Sequence, residues 1–177
     1  VYAGSTWHQF STVDPDSSPL DPQRLVRVPH SSRLNPTTKD FAILARIRTT
    51  APEGNLVQKG QATTDGGFYK IDITNGRVYC TFKGASGTVV AKSPASINNG
   101  AWRLIRCERS GNTVELKIDD VVVDRRSGAT GSIANNSELS IAGKSSCNQV
   151  TVGCDYFSGG IDRMVIADSS TTPKPVK

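Results

Sequence analysis

The sequence predicts an all-β fold, a two-sheet antiparallel β-sandwich of jelly-roll type. Three observations carry that prediction. Apolar and polar residues alternate with period two through most of the chain. Strand-like runs recur roughly every ten residues. Polar turn signals separate them, and Asn75-Gly76 between two alternating runs is the strongest of these. The chain has 177 residues, which suits one domain with a core of its own. Gly, Ser, Thr and Asn are plentiful, and the apolar residues lean towards Val and Ile, as strands joined by turns require.

The elements follow in order. A short first strand is expected near "TWHQF", then a surface loop over the Pro- and Asp-rich "STVDPDSSPLDPQ". In "FAILARIRTT", Phe41, Ile43, Ala45 and Ile47 share one face while Arg46 and Arg48 take the other, with Leu44 as the apolar exception. "GFYKIDI", Asn75-Gly76 and "RVYCTF" form a hairpin. "GASG" turns the chain into "TVVAK". "WRLIRCER" and "NTVELKI" flank Ser110-Gly111-Asn112 as a second hairpin, and Asp119-Asp120 turns into "VVVDRR" as a third. "SELSIAG" and "GIDRMVIA" complete the set. Residues 1–168 are read as one domain, and 169–177, rich in Thr, Pro and Lys, as a flexible tail or linker.

The cysteines and the charge bound the functional classes. Four cysteines and two histidines lack the close spacing that a zinc site uses. Disulfides are the simpler reading, and they imply a secreted or extracellular setting. Cys147 and Cys154 form the natural local pair, and Cys80 and Cys107 meet if their strands are neighbours. Loop entropy gives about 2.5 kcal/mol for the short ring and about 3.5 kcal/mol for the longer one. A start at "VYAGSTW" without Met suits a mature secreted product or a piece of a longer chain. No apolar run approaches the ~20 residues that cross a bilayer, so membrane insertion is not expected. A net charge of +5 permits an anionic partner without requiring one.

Several segments in their order resemble the laminin-G-like members of the concanavalin A-like superfamily. They are "VRVPHSSRLNP", "DFAILARIRT", "NLVQKG", "GFYKIDITNGRVYCTF", "GAWRLIRCERSGNTVELKIDD" and "YFSGGIDRMVIAD". The resemblance spans roughly Leu25 to Asp168 and implies a jelly roll that recognises glycans or proteins, with some glycan-cleaving relatives. Glucanases of this fold set acids as Glu-x-Asp-x-Glu on one strand. Here "VELKIDD" puts Lys117 between Glu115 and Asp119, so catalysis there is disfavoured, and no lyase string or nucleophile elbow occurs. Calcium is the cofactor the resemblance raises. One family position for its ligand, before "GASG", holds Lys83, whose ammonium would repel the ion. Asp14, Asp40 and Asp162 are the remaining ligand candidates, each with an ordinary structural reading beside it.

The expected function is therefore a secreted, non-catalytic recognition module for carbohydrate, including anionic polysaccharide. The alternatives are an interaction domain of a larger extracellular protein and a glycan-active enzyme. Nucleic acid is the less favoured anionic partner. Candidate ligand-binding residues are Tyr69, Arg77, Tyr79, Lys83, Arg103 and Tyr156. Arg77, Tyr79 and Lys83 share a strand face, and Arg103 and Arg109 could extend it from a neighbouring strand. Trp102 is expected in the core.

Overall fold

A computed structural model describes residues 8–10, 25–145 and 155–168. Among them twelve strands form two six-stranded sheets. In the first sheet the strands are β1 (His8–Phe10), β3 (Phe41–Arg48), β8 (Arg103–Ser110), β9 (Thr113–Ile118), β10 (Val121–Ser127) and β12 (Gly159–Asp168). Their order is β1-β12-β3-β8-β9-β10. The second sheet has β2 (Val26–Val28), β4 (Gly54–Lys59), β5 (Phe68–Thr74), β6 (Arg77–Gly84), β7 (Gly87–Lys92) and β11 (Leu139–Ile141). Its order is β2-β11-β4-β5-β6-β7, and every pairing between these strands is antiparallel.

Alternation decides which side chains meet. Phe41, Ile43, Ala45 and Ile47 of β3 point inward beside Ile105 and Cys107 of β8 and Val114 and Leu116 of β9. From the other sheet come Tyr69, Ile71 and Ile73, then Val78, Cys80 and Phe82, then Val89 and Ala91. Each fully buried Ile, Leu, Val or Phe contributes roughly 1.5–3 kcal/mol. Phe41, Tyr69 and Phe82 pack as a trio with ring centroids 5.1–6.5 Å apart. Tyr69 is 0% exposed, and its hydroxyl donates to the Leu34 carbonyl at 3.0 Å.

The hairpins form where the turn residues ask for them. Asn75 (φ 51°) and Gly76 (φ 71°) supply the two left-handed positions between β5 and β6. Asp119 (φ 52°) and Asp120 (φ 65°) do the same between β9 and β10, a conformation that Asp tolerates better than most residues. Asp119 Oδ1 also accepts from the Leu104 amide and Oδ2 from Arg103, each at 2.9 Å, which pins this turn to β8.

Cys80 and Cys107 are joined, with Cα atoms 5.7 Å apart. Their strands are not hydrogen-bonded neighbours. β6 and β8 lie in different sheets, and the bond crosses the core between them. The pairing of Cys147 with Cys154 lies outside the described residues.

The link from β10 to β11 passes from one sheet to the other without regular structure. It is held by close backbone approach and by buried cations. A Cβ on Gly66 would meet the Ala134 carbonyl oxygen at 1.8 Å, and one on Gly84 would meet the Thr130 and Ser132 oxygens at 2.5 Å. Arg109 is 2% exposed. Its guanidinium donates to Thr130 Oγ1 (3.3 Å) and to the carbonyls of Gly131 (3.2 Å), Thr37 (2.9 Å) and Lys39. Lys59 is 0% exposed. Its Nζ donates to Asn135 O (2.8 Å), Asn135 Oδ1 (2.9 Å) and Ser137 O (2.9 Å), with His30 Nδ1 at 3.3 Å.

Two predictions follow from these braces. Replacing both Cys80 and Cys107 by Ala should lower stability by about 3 kcal/mol and the melting temperature by about 10 °C, checked by calorimetry. Burial pulls the Lys59 pKa down to about 8 from 10.5. Between those values the unfolded chain holds the proton that the folded chain has released, so stability rises with pH across that window. Below about pH 8 both states are protonated and the cost of burying the charge is fully present. Denaturant midpoints from pH 7.5 to 10.5 should therefore climb more steeply for the native chain than for Lys59→Met.

Candidate functional site

The outward positions of β5, β6 and β7 come together in four rungs. Thr74 stands opposite Arg77. Asp72, Tyr79 and Lys92 form the next rung, then Lys70, Thr81 and Val90, then Phe68, Lys83 and Thr88. This strip therefore carries the cations Lys70, Arg77, Lys83 and Lys92 against one acid, Asp72. Lys70 Nζ pairs with Asp72 Oδ2 at 3.1 Å. Lys92 Nζ stands 4.7 Å from the centroid of the Tyr79 ring, a cation–π contact that leaves the ring half-buried and the ammonium at the surface. Arg77 is exposed. Lys83 Nζ donates to the Ala62 carbonyl at 2.7 Å and stands 5.9 Å from the Phe68 ring.

Of the residues expected to bind ligand, Arg77, Tyr79 and Lys83 share this face, and Lys70 and Lys92 join them. The other expectations need correction. Tyr69 faces inward between Phe41 and Phe82 and cannot reach a ligand. Tyr156 is 6% exposed and lies against β4 through a bridge to Asn55. Arg103 belongs to the opposite sheet, where Asp119 holds it, so it cannot extend the strip. Arg109 lies in that sheet too, and its buried guanidinium serves the connecting loops. Trp102 is not in the core. It is half-buried at the start of β8, with the guanidinium carbons of Arg46 and Arg48 at 4.7 and 5.2 Å from its ring centroid.

The outward face of the first sheet is a lattice of ion pairs. Glu108 takes Arg106 (2.5 Å) and Lys117 (2.6 Å), while Glu115 takes Lys117 (3.5 Å) and Arg125 (2.5 Å). Asp119 is drawn away to Arg103 at the hairpin. Glu115 and Asp119 thus do not flank a common gap, and each is neutralised by its own cation.

Of the calcium candidates, Asp40 and Asp162 lie among the described residues and do not come together. Asp40 enters β3, and both of its oxygens serve the β8–β9 turn. They accept from Ser110 Oγ and from the Gly111 amide, each at 2.8 Å. The Gly111 and Ser110 bonds hold its carboxyl below the usual range. Asp162 lies at the bulge of β12, opposite the far end of β3, and pairs with Arg46. The register places Asp40 and Asp162 roughly 20 Å apart along the strands, too far to share an ion. Asp14 lies outside the described residues. Among the described residues no three His, Cys, Asp or Glu side chains gather as a metal-binding group. Asp40 and Asp162 therefore serve separate turns and strands and do not share a calcium ion.

Two antiparallel six-stranded sheets with a disulfide joining them across the core define a jelly-roll module. A family model described as Laminin G domain matches residues 47–169. The chain belongs to the laminin G domain family, whose members are interaction modules of extracellular and cell-surface proteins.

Neurexin-3a of Danio rerio is 23% identical over 110 residues, which is 62% of this chain and 6% of the neurexin. The mouse laminin alpha1 chain, domains LG4-5, superimposes with a TM-score of 0.68 at 14% identity, covering 94% of this chain and 44% of that one. The structure of Ruminococcus gnavus IT-sialidase CBM40 bound to alpha2,3 sialyllactose has a TM-score of 0.61 at 17% identity, covering 75% and 77%. The chain thus spans a small part of the neurexin and under half of the laminin fragment. No helix of the described residues is long and apolar enough to cross a membrane.

A further prediction concerns Arg109. Arg109→Met keeps the length but removes the guanidinium donor from the carbonyls of Thr37, Lys39 and Gly131, and Thr37 keeps only its bond from the Ile133 amide. The substitution should cost about 3 kcal/mol in urea unfolding, with amide exchange accelerating first at residues 37–39 and 128–134.

Proposed function

We propose that this chain is an extracellular recognition module whose β5–β6–β7 face binds acidic glycan. The observation that supports the reading is the strip itself. Lys70, Arg77, Lys83 and Lys92 stand on one sheet face beside Tyr79, with Asp72 as the acid among them. Arg and Lys project at the rung spacing of a sheet, a few ångströms apart, so sulfate or carboxylate groups along a sugar chain can meet them in series. Tyr79 offers a ring for stacking on a sugar face, and Lys92 keeps it oriented. The solved module of similar fold that carries alpha2,3 sialyllactose holds an acidic sugar, which agrees with this reading without fixing the ligand here.

The mechanism is passive. The sheet is preformed and braced by the disulfide, so little order is lost on binding. The attraction is electrostatic and partly exposed, so it is screened by salt. Calorimetry with a heparin-derived hexasaccharide should show affinity falling steeply between low and physiological ionic strength. The double change Arg77→Glu, Lys92→Glu should weaken binding by about tenfold or more, while the melting temperature stays close to that of the native chain. Salt-independent binding, or no binding to any sulfated or uronic glycan, overturns the proposal.

A further inference from the structure

Beside this strip, the outward face of the second sheet carries two cavities that flank Lys144. One, of about 200 Å³, is lined by Asn55, Lys70, Asp72, Lys144 and Asp155 among others. The second, of about 190 Å³, includes Gln58, Ser137, Ser140 and the same Lys144. Lys144 pairs with Asp155. Together the two make a polar trench along β4 and β5.

Three oxygens in this trench are buried and have no hydrogen-bond partner among the described residues: Asn55 Oδ1, Gln58 Oε1 and Asp72 Oδ1. Asn55 is 1% exposed and Gln58 6%. They occupy neighbouring rungs, with Asn55 opposite Asp72 and Gln58 opposite Lys70. The other end of each side chain is held. Asn55 Nδ2 donates to the Gly143 carbonyl at 2.9 Å, and Gln58 Nε2 donates to the Gly60 carbonyl at 2.7 Å. Asp72 Oδ2 takes Lys70 at 3.1 Å. Flipping either amide would set oxygen against a carbonyl oxygen, so the unmet groups are acceptors. Buried acceptors without donors are uncommon in folded proteins, and three on adjacent rungs call for a donor-rich occupant.

The surroundings select its chemistry. Lys70 and Lys144 line the trench and oppose a metal cation. Neighbouring neutral hydroxyls can each donate one O–H to one of these oxygens and accept from a lysine ammonium at the same time. Asp72 stands opposite Tyr79 across β5 and β6, so the trench opens onto the basic strip. We propose that the trench is a subsite for the neutral, hydroxyl-rich edge of a sugar residue whose acidic groups meet Arg77 and Lys92. This rests on the glycan reading of the adjoining strip.

The test is a ¹H–¹⁵N titration that follows the side-chain amides of Asn55 and Gln58 together with the backbone of β6 and β7. The probes are maltotriose, lactose and mannotriose, a heparin-derived hexasaccharide, and putrescine as an amine control. At least one neutral sugar should shift both side-chain amides, and the shift should persist when salt is raised. Asp72→Ala should weaken that sugar at least fivefold. The half-buried position of Asp72 tolerates truncation, and Asn55→Ala serves as a second variant if it folds. If neutral sugars leave both amides unmoved while the sulfated hexasaccharide still shifts Arg77 to Lys92, the trench holds ordered water only. That outcome overturns this inference and leaves the reading of the strip intact. Shifts with putrescine alone overturn the hydroxyl assignment. Silence towards every saccharide overturns both proposals.

Discussion

The architecture depends on how two buried cations treat loop carbonyls. The chain must pass from β10 in one sheet to β11 in the other, and that link has only the short bridge of Ile133 to Thr37 and scattered backbone bonds in place of a ladder. Arg109, projecting from the first sheet, and Lys59, projecting from the second, supply the missing donors. A buried charge is tolerated only where it is richly hydrogen-bonded. Here the acceptors are mostly neutral carbonyls, so the cations organise the loop at an electrostatic cost. The depressed pKa of Lys59 records that cost. The two side chains act together with backbone bonds from Thr37, Ala85 and Ser86 to the link, which fix its path across the end of the sandwich.

That division leaves the outer faces free to differ. One sheet spends its charges on one another through Glu108, Lys117, Glu115 and Arg125. The other leaves Lys70, Arg77, Lys83 and Lys92 opposed by little acid. A face whose charges are internally matched has less electrostatic reason to recruit an anion. The asymmetry is therefore the physical basis for choosing the second sheet, and it arises from which strands sit side by side rather than from overall composition.

The fold was legible because local signals agreed with one another. Period-two alternation in β3 and β8, Asn75-Gly76 and Asp119-Asp120 all pointed to the same ladders. Some of the site was legible by the same parity rule, which correctly grouped Arg77, Tyr79 and Lys83. Parity could also have found the burial of Tyr69, which alternates with Ile71 and Ile73, and of Arg109, which alternates with Ile105 and Cys107. Sheet membership was a different matter. Arg103 looked adjacent to the strip because β6 and β8 seemed to be neighbours, yet a disulfide can join strands face to face as readily as side by side. The burial of Tyr156 and the unmet oxygens of Asn55 and Gln58 depend on contacts between distant segments, which no local pattern encodes.

The cross-core disulfide has one more consequence. Both of its cysteines are 0% exposed, and thiol exchange needs a thiolate to reach sulfur. A reductant must wait until the two layers part. In a mild reducing bath, the appearance of thiols from this pair would be gated by opening rather than by chemistry, so the bond serves as an internal clock for how often the sandwich breathes.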